Sequence, residues 1–486
     1  MNVYRKLLSQ TAIYGLSSII GRIINWALTP LYVNHFSVEE YGIFSDLYAL
    51  TFFPLIIITF GLETAFFRFA SSKEEAEVIY ANAFYTVLGL AFTFLLLGLL
   101  FQKPLLALLG YSHAPHYVLL MLGVIFWDTT AALPLAKLRY ENKALRFATI
   151  ALLNIFLTLA LNILFVVVLK LDLTYVFIAN LLASGVRLAI SLWNNAPSFA
   201  AVRANKIKQL MSYGFFIMLA GLAGAINETL DRALIPRLWA EGFYHGVRLN
   251  GLEMNGIYGA NYKLGMFITL VTQAFRYAAE PLFFKKANQM DAPIIFAKIF
   301  HYYAIAAQVM VLVISLFAYE IVSFDAWGLM KSTLIPSDYW MGLEAVPFIL
   351  LANFFLGIYL NLSIWFKLSN QVHFGFILAG SGALITIVFN IITIPYWGYM
   401  GAAYATSICY GFMAVACYIL GQKYYPIPYR ILRLVGYGVF GFVLYLIIIT
   451  HLETLNAPGF AFLKLFAIIF WILVIFIYEK IRPLKW

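Results

Sequence analysis

Twelve ionisable side chains lie inside stretches long and apolar enough to cross a bilayer. They are the cations Arg22, Arg187, Arg232, Lys263 and Arg276 and the acids Asp46, Glu63, Asp128, Glu228, Asp231, Glu280 and Glu344. The hydrocarbon core offers no water to solvate such groups, so each is a functional-site candidate by default. The densest cluster is in residues 211–236, where Asn227, Glu228, Asp231 and Arg232 fall within six positions of an otherwise apolar helix-length run. Two kinds of chemistry follow from these residue types. An arginine fork or a lysine inside a span can hold a phosphate oxygen. A buried carboxylate can carry a proton or Na⁺, and Asp128, Asp231, Glu63 and Glu280 are the candidates for ion coupling, with H⁺ or Na⁺ as the coupling ion. Nothing resembles a catalytic set or a metal centre. The two cysteines, Cys409 and Cys417, are eight residues apart in one apolar segment and read as small helix-packing side chains.

The elements that position these groups are membrane helices. The 486-residue chain is 63% hydrophobic and only 11% charged, a composition that a water-soluble core could not keep dispersed. Runs of about 20 apolar residues recur, the length a helix needs to cross roughly 30 Å of hydrocarbon, and no alternating strand pattern suggests a barrel. Fourteen spans are expected, near 11–33, 42–66, 80–101, 117–137, 147–169, 173–193, 211–236, 257–284, 299–320, 341–366, 374–395, 399–421, 434–452 and 460–478. The apolar region after the basic start MNVYRKLLSQ is too long for a cleaved signal and contains Arg22 and Asn25, so it reads as a retained first span. With the N-terminus inside, twenty-one lysines and arginines fall on the cytoplasmic side and six on the other. That asymmetry predicts both termini cytoplasmic, and it accounts for the net charge of +10 as topology and attraction to anionic lipid, with no need for nucleic acid. His301 and His373, at cytoplasmic span ends, read as solvated interfacial histidines.

The chain also repeats itself. Residues 41–70 align without gaps to residues 258–287, so that Tyr41-Gly42 falls on Tyr258-Gly259, Glu63 on Glu280, Phe66-Phe67 on Phe283-Phe284 and Arg68 on Lys285. Asn142 and Asn162 match Asn370 and Asn390, and Pro30 matches Pro236. Spans one and seven both start inside, so the two halves are related in parallel, by an axis along the membrane normal. The expected fold is therefore an all-α polytopic membrane protein of two six-helix lobes, residues 1–195 and 211–422. A basic cytoplasmic linker, 196–210, joins them, and residues 423–486 add two further helices. No extramembrane loop has room for a soluble catalytic domain, so the chain is not expected to be an enzyme.

This architecture, with SVEEYGIFSDLYAL at residues 37–50 and INETLDR at 226–232, resembles one branch of the multidrug/oligosaccharidyl-lipid/polysaccharide exporter superfamily: the polysaccharide transporters, or Wzx-type oligosaccharide flippases. The resemblance implies a V-shaped transporter in the bacterial cytoplasmic (inner) membrane. Such a protein moves undecaprenyl-pyrophosphate-linked oligosaccharide to the outer leaflet by alternating access, with spans one, two, seven and eight lining a cavity. Its partners would be the lipid-linked oligosaccharide, bilayer lipids and other polysaccharide assembly proteins. Arg22, Arg232, Lys263 and Arg276 would then be the substrate-path cations.

Five intra-span cations against seven acids do not make a strongly cationic cavity by count. A cation-coupled multidrug or metabolite antiporter of the same fold therefore stands as an alternative, as does a lipid II flippase. A membrane polymerase or glycosyltransferase is disfavoured by the short loops and the duplication. The repeat places Arg22 opposite Glu228 and Asp46 opposite Lys263, opposite charges at pseudo-equivalent positions. These pairs are expected to form inter-lobe salt bridges that gate the cavity.

Overall fold

The computed structural model describes residues 3–287, 289–325, 333–369, 371–452 and 460–481, which are helical apart from one short hairpin and the connections. Asn370, expected to match Asn142, lies outside the described residues.

Helices α1 (Val3–His35), α2 (Val38–Thr59), α3 (Leu62–Phe69), α4 (Lys73–Leu100), α5 (Gln102–Leu109), α6 (Pro115–Tyr140), α7 (Ala144–Asn162) and α8 (Thr174–Leu192) precede the long α9 (Ala204–Leu238). Strands β1 (Gly242–Tyr244) and β2 (Val247–Leu249) form an antiparallel hairpin. After it come α10 (Gly251–Lys286), α11 (Ala292–Val322), α12 (Val346–Leu362), α13 (Ile364–Leu368), α14 (His373–Tyr424), α15 (Ile431–Leu452) and α16 (Phe460–Ile481). Eleven described helices are long and apolar enough to span a bilayer. The longest, α14, is two helices merged across Gly398, whose φ of 52° and ψ of −133° are not helical. With α1 and α10, at 33 and 36 residues, every expected span is matched by a helix.

Local sequence explains the boundaries that matter for the site. Ser37 caps α2 and Asn250 caps α10, each in a capping box with the glutamate three residues on, Glu40 and Glu253. These boxes satisfy the otherwise orphaned N–H groups at each helix start. Spans two and eight of the duplication thus open with the same device. Span two is broken at Phe60 and Gly61, both left-handed at φ 50° and 66°. The break packs on α9: a Cβ on Gly61 would sit 2.7 Å from Ile217 Cβ, and one on Gly214 would strike the Phe60 carbonyl. Glycine is required at both places because the backbones meet there.

The chain divides into two compact units, Met1–Ala233 and Leu234–Trp486, so the division falls inside α9 rather than at the basic segment before it. That segment is strapped to α4: Tyr80 and Tyr85 donate their hydroxyls to the Asn195 and Pro197 carbonyls. Asn82 receives the Arg203 N–H and donates to the Ala201 carbonyl. In the first unit Leu62, Phe66, Tyr80, Val87 and Leu133 form the core between α3, α4 and α6. In the second, the core around Trp365 and Trp471 contains both cysteines as buried packing side chains.

The appended helices α15 and α16 are pinned to α11 at both ends. Lys464 pairs with Glu320 at 2.6 Å. At the other end Glu479 accepts from Tyr437 at 2.6 Å and pairs with His301 at 3.0 Å and Arg433 at 3.2 Å. His301 is therefore not the solvated interfacial residue that its place in the sequence suggests; it is 1% exposed, because the carboxylate that compensates its burial comes from a helix 178 residues away.

Candidate functional site

Arg22 lies in α1 beside Gly21, which meets α7 so closely that a Cβ would sit 2.8 Å from Ile155 Cδ1. The arginine is partly buried, and among the described residues it has no ion-pair partner. A guanidinium held in a membrane span without a carboxylate is a strong anion receptor, since neutralising it is not an option.

The acids of the first unit are mostly engaged. Asp46, fully buried in α2, accepts the Tyr111 hydroxyl at 2.8 Å. Asp128 in α6 pairs with Arg187 in α8 at 2.7 Å. In α9, Asp231 is 3% exposed and its Oδ1 lies 3.4 Å from Arg232 Nε, while the Arg232 guanidinium also donates to the Glu228 carbonyl. The Glu228 side chain projects outward and, among the described residues, is in no ion pair. Arg22 and Glu228 are thus unpaired with each other in this conformation. In the second unit Lys263 is partly buried in α10, and Glu344 lies in the 3₁₀ turn Ser337–Ala345 before α12. There Glu344 holds the hairpin, accepting from Tyr244 at 2.7 Å and Tyr399 at 2.9 Å and meeting His245 at 3.2 Å. Burial, and next the Glu344 carboxylate, push the Tyr244 hydroxyl well above the usual tyrosine range.

One relationship joins the two units through the duplication. Glu63 in α3 pairs with Arg139 at the end of α6. Glu280 near the end of α10 pairs with Lys367 in α13 at 2.7 Å. The alignment that sets Asn162 on Asn390 sets Arg139 on Lys367, so the two ion pairs are copies of one another. The same alignment sets Thr158 on Thr386, and Asn162 and Asn390 each donate to that threonine's carbonyl at 2.7 Å. Glu63 and Glu280 are recognisable as equivalent from the sequence alone. Their partners are not, because Arg139 and Lys367 also read as ordinary cytoplasmic topology charges.

A sequence model of the polysaccharide biosynthesis protein family matches residues 7–286, more than half of the chain. The chain belongs to that family. Its fold is shared with solved members of the multidrug/oligosaccharidyl-lipid/polysaccharide exporter superfamily. The lipid II flippase MurJ in an inward closed conformation superposes with a TM-score of 0.72 at 16% identity, over 96% of this chain and 99% of that one. A multidrug resistance MATE family transporter in an inward-facing conformation gives 0.65 at 15% identity, over 85% of this chain and 94% of that one. The curated proteins contain no match. The family member described here is accordingly a multi-pass helical membrane protein that shares its fold with these transporters.

Proposed function

We propose that this protein is a flippase that moves undecaprenyl-pyrophosphate-linked oligosaccharide, a repeat unit of a surface polysaccharide, across the bacterial cytoplasmic membrane by alternating access. The observation that carries the reading is Arg22, a guanidinium inside a span with no carboxylate partner among the described residues. A cation kept without a carboxylate at membrane depth suits a cargo that brings its own negative charge, and a pyrophosphate does so. Membership of the polysaccharide biosynthesis family supports a glycan-bearing cargo. Asp128, paired to Arg187 at 2.7 Å, is less suited to ion coupling than its position alone suggests, because its carboxylate is already engaged by a guanidinium. Asp231, Glu63 and Glu280 also face cations.

Lipid II, the cargo named for MurJ, presents the same pyrophosphate and polyprenol and would meet the same cations. The test is movement of a fluorescent undecaprenyl-pyrophosphate oligosaccharide in proteoliposomes, scored by outer-leaflet accessibility. Transport of the oligosaccharide, lost in Arg22→Ala with insertion unchanged, is the expected result. Failure with every lipid-linked glycan, alongside proton- or Na⁺-dependent movement of small organic cations, would replace this reading with the antiporter.

A further inference from the structure

A groove of about 560 Å³ runs along the first turns of α9, within the range of about 300–1,000 Å³ that small-molecule sites occupy. Ile207, Lys208, Met211, Ser212 and Phe215 line it, a spacing that puts all five on one face of the helix. Phe60, at the break in span two, closes the inner end, its ring centroid 6.2 Å from that of Phe215. Phe215 is 43% exposed, and Lys208 and Ser212 are exposed as well. On the neighbouring face of α9, by contrast, Tyr213 packs edge-on against Phe69 of α3 at 5.5 Å. Several basic residues near the cytoplasmic ends of helices are engaged: Lys137, Arg139 and Lys206 in the first unit, and Arg276 and Lys367 in the second, each lie within 4.0 Å of a carboxylate. Lys208, among the described residues, is in no ion pair.

We propose that this groove binds one anionic phospholipid of the cytoplasmic leaflet, with its phosphate on Lys208 and an acyl chain lying along Met211 and Phe215 to Phe60. The charges fit. One unpaired ammonium matches the single negative charge of a phosphodiester, whereas a zwitterionic lipid brings it no net charge and a diphosphate brings more than it can neutralise. The dimensions fit as well. At 1.5 Å per residue Phe215 lies about 10 Å deeper than Lys208, within one leaflet's share of the roughly 30 Å hydrocarbon core. A lysine at that level lays its stem on apolar surface and keeps its ammonium among the headgroups. This end of α9 follows the basic segment that the charge asymmetry assigns to the cytoplasm, the side whose leaflet carries the anionic lipid. Seated there, the acyl chain packs against the left-handed Phe60–Gly61 break between α2 and α3, so the lipid braces a bent span and is not cargo. The site is independent of what the protein transports.

The test is native mass spectrometry of the full chain released from phosphatidylcholine nanodiscs doped with phosphatidylglycerol, which counts the lipids retained. A first phosphatidylglycerol should be held in preference to phosphatidylcholine. Lys208→Ala should cut its occupancy about fivefold and Lys208→Arg should keep it. Ser212→Phe, which fills the groove and leaves the lysine in place, should also lose it. Lys285→Ala removes an exposed cation from α10 and should change nothing. A loss in Lys285→Ala equal to that in Lys208→Ala overturns the site, because overall charge would then hold the lipid. Equal retention of phosphatidylcholine, or undiminished phosphatidylglycerol in either Lys208→Ala or Ser212→Phe, overturns it too. Hydrogen exchange reads the brace separately: phosphatidylglycerol should slow exchange around the Phe60–Gly61 break in the wild type and not in Lys208→Ala, and absence of that protection overturns the bracing role.

Discussion

Arg187 on α8 donates to Asp128 on α6 across 2.7 Å, both side chains about a quarter exposed, which ties the two helices together in mid-span. Removing one partner leaves the other charge at membrane depth without its counter-charge. Asp128→Asn should therefore lower stability by about 2 kcal/mol, and Asp128→Asn with Arg187→Gln should recover more than half of that loss. Thermal unfolding of the detergent-solubilised variants decides it; two neutral single variants would show the pair to be ornamental.

Arg22 has the opposite signature, because it has no carboxylate partner among the described residues to strand. Arg22→Ala should unfold within a degree or two of the wild type yet lose nearly all glycolipid transport, with Arg22→Lys intermediate. The expected gate with Glu228 adds a second arm. If the two residues close the cavity in another conformation, Arg22→Glu combined with Glu228→Arg should transport better than either single variant at equal expression. A double variant no better than the singles removes the gate and leaves Arg22 as a cargo contact.

Glu479 gathers His301, Arg433 and Tyr437 and so fastens α15–α16 to α11. Glu479→Ala should cost about 3 kcal/mol of the docking of this helix pair, since it abandons a buried histidine and a part-buried arginine together. Hydrogen exchange should show the pair opening while α12 stays protected. Uniform loss of protection across both regions would contradict a local anchor.

The hairpin has a pH signature with a definite sign. Tyr244 is held protonated by burial and by the Glu344 carboxylate, which outweigh the lowering effect of its hydrogen bond with Tyr399, so its folded pKa lies above the released value of 10.0. A raised pKa stabilises fully below the released value and is lost as pH climbs through the folded one. The stability difference between wild type and Tyr244→Phe, about 1–2 kcal/mol, should be flat from pH 7 to 9 and shrink above about pH 10. A difference that grows with alkalinity would reverse the assignment.

Span number, duplication and the equivalence of Glu63 with Glu280 could be read from the sequence, because apolar run length and polar coincidences are local signals. What could not be read depends on contacts between distant residues. Asp128 and Arg187 both stand out as intra-span charges, yet nothing in their spacing of 59 residues joins them. His301 reads as solvated from sequence because its compensating Glu479 comes from the last helix. The break at Phe60 has no local sequence signal for a related reason: the approach of Gly214 from α9 is what accommodates a left-handed Phe-Gly pair.

The paired carboxylate–cation contacts at Glu63–Arg139 and Glu280–Lys367 also carry a history. Two copies of one contact, each joining the same two helices of its own lobe, are inherited more simply than invented twice. The contact was then already present in the half-size ancestor before its gene doubled. The copies have since diverged, with arginine on one side where the other has lysine, and Arg276 where the first lobe has Thr59. The two lobes therefore began as equals and now differ in charge at this one contact.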